Sequence, residues 1–305
     1  MHSPDAIPSA PKNNHQVRDF ILLVIGSTAI GNSSVLVRLA EADPAATAFW
    51  RMVTAIPVLM LWAYVERPQQ RQDSNGARLP WSLVWPSMAA GFSFAIDMWL
   101  SNIALGLTTM TSFIILVHLA PVVVVIFAWL WFGEKPTLGI LAALLLAILG
   151  AVLLVQSGRV GNAASNALLG DMASIGAAVG YAGFILALRR ARMFAATGIV
   201  SLLTAASCAV FCLLISLATG ETLWPKSAYS FAMLAIMGVV CHAFGQGLST
   251  FSVGSLGASV TSIVLVYGVA VTIAGGWLLF NETPNLLQAA GGVLVLAAVI
   301  ICRPK

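Results

Sequence analysis

Charge is what this sequence has least of. Asp, Glu, Lys and Arg make up 9% of its 305 residues, against about 25% in a soluble domain. With 59% hydrophobic residues and a mean hydropathy of +0.94, a soluble fold is excluded and a polytopic membrane protein is implied. Chemical motifs are missing as well. There is no HExxH, no GxSxG, no clustered pair of acids and no Gly-Lys-Ser/Thr phosphate loop. Without such motifs an intramembrane enzyme is a remote alternative, and nucleotide-driven pumping lacks its phosphate loop. Cysteine is scarce: Cys208, Cys212, Cys241 and Cys302 fall in or beside apolar runs without a His or acidic cluster, and read as buried free thiols. No metal site, cofactor or nucleic-acid partner is expected. No cleavable signal peptide is evident, and residues 1–18 read as a disordered cytoplasmic tail.

What is present is a transmembrane hairpin. Two apolar runs, 109–132 and 137–155, flank Gly133-Glu134-Lys135-Pro136. Each run is close to the roughly 20 residues that cross a bilayer core. Gly133 suits the tight turn, Pro136 suits the first turn of the following helix, and Glu134 and Lys135 suit headgroup water. The pattern recurs 148 residues later: Phe280, Glu282 and Pro284 repeat Phe132, Glu134 and Pro136, again between apolar runs. This reads as an internal duplication.

Ten spans are predicted, at about 19–39, 44–65, 82–103, 108–132, 137–156, 167–188, 195–218, 228–250, 257–280 and 285–302. Their connections are short except for 66–80. With the N-terminus inside, eleven basic residues are cytoplasmic: Lys12, Arg18, Arg67, Arg71, Arg78, Lys135, Arg189, Arg190, Arg192, Arg303 and Lys305. Three, Arg38, Arg159 and Lys226, are outside. This asymmetry predicts both termini in the cytoplasm and a multi-pass protein of the cell (inner) membrane. Five spans per repeat is an odd number, so the second repeat enters the bilayer inverted. The expected fold is an all-α membrane protein, ten transmembrane helices as two inverted five-helix repeats around a central cavity. The repeats are placed at 19–156 and 167–302.

Certain segments resemble the drug/metabolite transporter superfamily, in particular its ten-helix EamA-type members. Phe49-Trp50-Arg51 resembles the Arg-containing start of that family's second helix. Ser101 to Leu105 with Leu107-Thr108-Thr109 resembles the connection between its third and fourth helices. Leu119-Ala120-Pro121 with Phe132-Gly133-Glu134 resembles its fourth helix and the turn that follows. The resemblance spans about residues 20–302, but Val269 stands where Pro121 would pair and Asn281 replaces Gly133. The kink at Pro121 is therefore not expected to be repeated in the second half. The resemblance implies a transporter of small organic metabolites, with the aromatic amino-acid exporters among its members.

Polar residues within the spans are the candidate site. Ionisable side chains there cost about 2.5–3.5 kcal/mol on insertion scales. Arg51, about 10 Å into the second span, and Asp97 in the third lie at comparable depth. They read either as a structural ion pair or as a substrate contact. His118 precedes Pro121 by three residues, and that proline frees the carbonyl of Val117 and bends the fourth span. Tyr267, one position from the residue paired with His118, joins Asn32, Tyr181, His242 and Gln246 near mid-membrane. Singly, each reads as a helix–helix hydrogen bond; together they suggest a polar, aromatic-edged cavity. Trp50 and Trp99 are further candidate substrate contacts, while Trp81, Trp85, Trp131 and Trp224 read as interfacial anchors.

The function expected is facilitative or exchange transport by a monomer in the lipid bilayer. The solute is a neutral or zwitterionic metabolite, with amino acids first and nucleosides, purines or cationic drugs as alternatives. A receptor or assembly factor is the remaining class.

Overall fold

The computed structural model describes residues 13–40, 44–70, 81–108, 110–155, 166–280 and 285–304. Those residues form ten membrane spans. The first is Asn13–Gly31 continued by Ser33–Ala40, the second Pro44–Gln70, and the third Trp81–Leu107. The fourth is Met110–Val117 continued by Ala120–Phe132, and the fifth is Leu138–Val155. The sixth and seventh are Ala167–Arg192 and Thr197–Thr219. The eighth runs Ala228–Ile236, Met237–Gln246, Gly247–Leu256; the ninth is Ala258–Leu265 continued by Tyr267–Phe280; the tenth is Leu286–Ile301. Eight meet the length and hydropathy of a full crossing, and the fifth and tenth are shorter apolar helices. At 1.5 Å per residue the 16-residue tenth helix is about 24 Å long, close enough to a core of about 30 Å for a modest local mismatch.

Several boundaries differ from the sequence reading. The first helix already begins at Asn13, so residues 13–18 of the expected tail are helical, while 1–12 lie outside the described residues. The second and third helices run several residues further than expected, to Gln70 and Leu107. Pro136 does not open the fifth helix: Thr137 does, accepting a hydrogen bond from the Ile140 amide at 3.3 Å, and Pro136 precedes it. Asn281 to Pro284, the second hairpin, and the Glu66–Pro80 connection beyond Gln70 lie outside the described residues.

The packing carries the duplication. The third span packs on the sixth and the first on the eighth; the fourth packs on the sixth and the first on the ninth. The second packs on the seventh, the fifth on the tenth, and the fourth on the ninth. Exchanging each span of one half for its counterpart in the other maps these contacts onto one another, as a two-fold axis in the membrane plane requires, while lesser contacts such as that of the sixth span with the eighth depart from it. The fifth and tenth spans cross where two glycines meet. A Cβ on Gly150 would lie 2.7 Å from the carbonyl oxygen of Gly291, and one on Gly291 would lie 2.6 Å from that of Gly150. Such contact is the usual basis of tight packing in lipid, where apolar burial gives helices no preference for one another.

The candidate site between the two repeats

Four of the spans are interrupted, and the interruptions position the site. In the fourth, the helix stops at Val117 and restarts at Ala120 through a tight turn. The Leu119 amide donates to Leu116 O at 3.2 Å and the Val122 amide to Leu119 O at 2.9 Å. Pro121, lacking an N–H, sits in the first turn of the restarted helix. In the ninth, the helix breaks at Val266, whose amide donates to Ile263 O at 3.2 Å, while the Val269 amide donates to Val266 O at 3.0 Å. Val266 is 148 residues from His118, the offset of the duplication. The bend is thus present in both halves, contrary to expectation.

Proline is replaced there by a distant donor. Ser27 of the first span, buried, directs its hydroxyl at the carbonyls of Val264 and Leu265, at 3.3 and 3.5 Å. Val264 O also accepts a backbone amide at the break, so the hydroxyl chiefly serves Leu265 O, a group that needs such a partner within a membrane.

Between the two breaks lies a cavity of about 220 Å³. Asp97 and Ser101 reach it from the third span, His118 and Pro121 from the fourth, Tyr181 from the sixth, and Ser262 with Val266 from the ninth. Asp97 is buried, and one of its carboxylate oxygens accepts from Ser101 Oγ at 3.4 Å. Its backbone is pressed against the sixth span, where Gly180 leaves just enough room: a Cβ there would be 3.1 Å from the Asp97 amide nitrogen. A carboxylate, a phenol, an imidazole and two hydroxyls therefore face one space bounded by both repeats.

Of the residues singled out in the sequence, Asp97, His118, Pro121 and Tyr181 meet in this cavity. The others do not line it. Arg51 is buried, its guanidinium carbon 5.9 Å from the Phe94 ring centroid and its Nε without a hydrogen-bond partner. Among the described residues no ion pair at contact distance joins Arg51 to Asp97, though the two charges remain close enough to act on one another. Asn32 lies in the interruption of the first span, and its amide donates to Thr28 O at 2.8 Å. Trp50 donates from Nε1 to Leu223 O at 2.7 Å and packs on Trp224 and Phe231 at the membrane edge. Trp99 is exposed on the outer surface among Phe92 and Phe211. Tyr267 packs with the apolar residues around the ninth, fifth and tenth spans.

His242 and Gln246 belong to a ten-residue π-helical stretch, Met237–Gln246, and line a small separate pocket behind Phe184 with Ser201, Thr204 and Thr250. The imidazole stacks on Phe94, 6.1 Å between centroids. Wide turns of this kind recur at functional sites, and no residue motif announces them.

One end of the assembly is clasped by acids of the first repeat. The Glu134 carboxylate accepts from the amides of Ala258 and Ser259, at 3.0 and 3.2 Å, and from Ser259 Oγ at 3.2 Å. It thereby caps the start of the ninth span, where the local sequence offers no side-chain cap. Gly257 makes room for it: with φ at +86° and a notional Cβ 2.8 Å from the carboxylate, no other residue fits. Arg189 Nε donates to Glu134 at 3.0 Å and its Nη1 to Gly254 O at 2.9 Å. Glu66 repeats the device on the seventh span, accepting from the Gly198 amide at 2.6 Å while Trp62 Nε1 donates to its other oxygen at 2.9 Å. Negative charge at a helix N-terminus is favourable, so both acids bind the repeats together at this arginine-rich end. The expectation that Glu134 sits in headgroup water is corrected. The opposite end uses neutral donors, Trp50 on Leu223 O and Thr108 Oγ1 on Asp171 at 2.6 Å.

Inverted repeats, broken helices and a polar cavity at their seam define the class: a secondary-transporter-like membrane protein. The model of the EamA-like transporter family matches residues 19–156 and again 168–303. The chain belongs to the EamA-like transporter family and is a multi-pass membrane transporter. It is similar to the pseudopaline exporter CntI of Pseudomonas aeruginosa, 25% identical over 92% of this chain and 94% of that protein. It is also similar to an uncharacterized transporter of Archaeoglobus fulgidus, 23% identical over 89% of this chain and 91% of the other. A solved crystal structure shares the fold, with a TM-score of 0.74 at 16% identity, covering 95% and 96% of the two chains.

Proposed function

We propose that this transporter exports or exchanges small organic metabolites bearing an ammonium group, neutral amino acids first among them, by alternating access. The supporting observation is the placement of Asp97 on the wall of the cavity between the two helix breaks, with Ser101, His118, Tyr181 and Ser262 around it. Among the described residues Asp97 forms no ion pair at contact distance; the Arg51 guanidinium acts on it only from beyond that range, and a solute ammonium in the cavity would meet the buried carboxylate directly. The hydroxyls and imidazole would serve the polar remainder of the solute, and Val266 and Leu265 its apolar part. At about 220 Å³ the cavity is below the roughly 300–1,000 Å³ of drug-sized sites, which favours small solutes. Movement is down the solute's own gradient or by exchange, since the described spans offer Asp97 as the carboxylate of the cavity and no chain of acids beyond it.

The repeats are assigned to 19–156 and 167–302, with both termini in the cytoplasm and the arginine-rich end facing inward. In the described conformation Glu134 and Glu66 hold that end shut. A cationic drug is the second reading, because the same carboxylate would receive it. Counterflow in liposomes, with neutral amino acids, nucleosides and cationic drugs as competitors, distinguishes them. Amino acids are expected to exchange in wild type, with affinity falling about tenfold or more in Asp97→Asn, as loss of a hydrogen bond to a charged group entails. Exchange of nucleosides alone, indifferent to that substitution, would overturn the reading.

A further inference from the structure

On the outer face of the helix bundle lies a groove far larger than the central cavity, about 590 Å³, between the third, fourth and sixth spans. Trp85 and Ala89 line one wall and Gly183, Ala187 and Arg190 the other, with Trp131 beside them. The spacing accounts for its shape. Residues 85 and 89 are one turn apart on the third span; 183, 187 and 190 are one turn apart on the sixth, so each set falls on one helical face. Small residues line it together with Leu186, Phe132 and Ser93, and two exposed tryptophans border it. The wall from 183 to 190 is about 10 Å long at 1.5 Å per residue. The groove therefore reaches from the helix end into the depth of the apolar belt.

Its mouth is cationic. Three arginines end the sixth span. Arg189 is held by Glu134 and Gly254 O, and Arg192 by the backbone oxygens of Thr250 and Ala195. Arg190 is exposed. Its contacts are the Phe194 ring, 4.9 Å from the guanidinium carbon, and Met193 Sδ at 3.9 Å; neither neutralises it. Trp85 and Trp131 are 59% and 64% exposed, placed where tryptophans mark the level of lipid headgroups.

We propose that this groove is a binding site for one anionic phospholipid, its phosphate on Arg190 and an acyl chain along the length of the groove. A planar guanidinium can meet a phosphate through two parallel hydrogen bonds. A long apolar trough flanked by headgroup-level tryptophans fits a lipid tail, whereas a soluble metabolite would leave the trough wet. The position of Arg190 on the same helix as the Glu134 partner Arg189 places the lipid beside the clasp at the arginine-rich end.

The test is retention of lipid by the purified full-length protein from nanodiscs of phosphatidylcholine with phosphatidylglycerol, read by native mass spectrometry. The expected result is one phosphatidylglycerol retained in preference to phosphatidylcholine. Arg190→Gln should lower that preference about fivefold, the equivalent of one basic residue near an anionic surface. Arg190→Lys should keep most of it. Ala89→Leu and Ala187→Phe, which fill the trough from different helices, should each release both lipids; two variants guard against one failing to fold. Lys226→Gln, at the other membrane surface, should change nothing. Equal retention of both lipids in wild type, or an unchanged preference in Arg190→Gln, would overturn the proposal.

Discussion

Glu134 and Arg189, 55 residues apart and in different repeats, meet at 3.0 Å over the start of the ninth helix. The carboxylate serves two purposes: it pairs with the arginine and it caps two backbone amides. A movement of the fourth span away from both the sixth and the ninth at this end breaks both together.

Glu134→Gln is therefore expected to open it. The side chain keeps its shape but loses the charge that favours a helix N-terminus, a change of about 1–2 kcal/mol. Introduced as the background of Ser262→Cys, it should raise labelling of the cavity cysteine by an impermeant thiol reagent from the arginine-rich side several-fold. Unchanged labelling would make the clasp a stability feature without a gating role.

The two bends should respond differently to substitution. Pro121→Ala restores a donor locally and is expected to preserve insertion while changing transport rate. Ser27→Ala removes the hydroxyl from Leu265 O, Val264 O keeping a backbone amide, and is expected to destabilise by about 0.6–1.5 kcal/mol. Thermal unfolding in detergent separates the two; equal shifts in Tm for both variants would count against the assigned roles.

Topology has its own measurement. Reporter fusions after Arg71 and Arg190 should report cytoplasm, and after Lys226 the outside. The reverse pattern would invert the assignment of the clasped end.

Flux should persist at equal pH on both sides of a liposome membrane with the voltage clamped. An absolute requirement for a pH step, abolished by Asp97→Asn or His118→Ala, would reveal a proton relay through the cavity. Its members would be groups already on the wall.

Composition and periodicity made the ten spans legible, and the repeated Phe-x-Glu-x-Pro made the inversion legible. The cavity was partly legible. Asp97, His118, Pro121 and Tyr181 stand out as polar or helix-breaking residues in apolar runs. Ser101 and Ser262 do not, although each had a signal: Ser101 lies one turn after Asp97, and Ser262 one turn before the residue that the duplication pairs with His118. Trp50, Trp99 and Asn32 stand away from this cavity, since depth along a helix says nothing of which way a side chain points. Ser27 was illegible for a stronger reason. Its role depends on a carbonyl 237 residues away, and serine in a helix ordinarily satisfies itself one turn back. The break at Val266 had no proline to announce it, so the second bend was missed although the duplication pointed to the position.

That break differs from its counterpart in stiffness. In the fourth span the missing N–H belongs to Pro121 itself, and no rearrangement of neighbours restores it. In the ninth the amides are intact, and the bend is sustained by a hydroxyl on another helix. If the first span shifts, Ser27 leaves, and Leu265 O can accept from an amide of its own helix, as Val264 O already does. One half of the molecule thus carries a fixed elbow and the other a spring. A pair of repeats matched in topology is, in mechanics, a rigid jaw working against a compliant one.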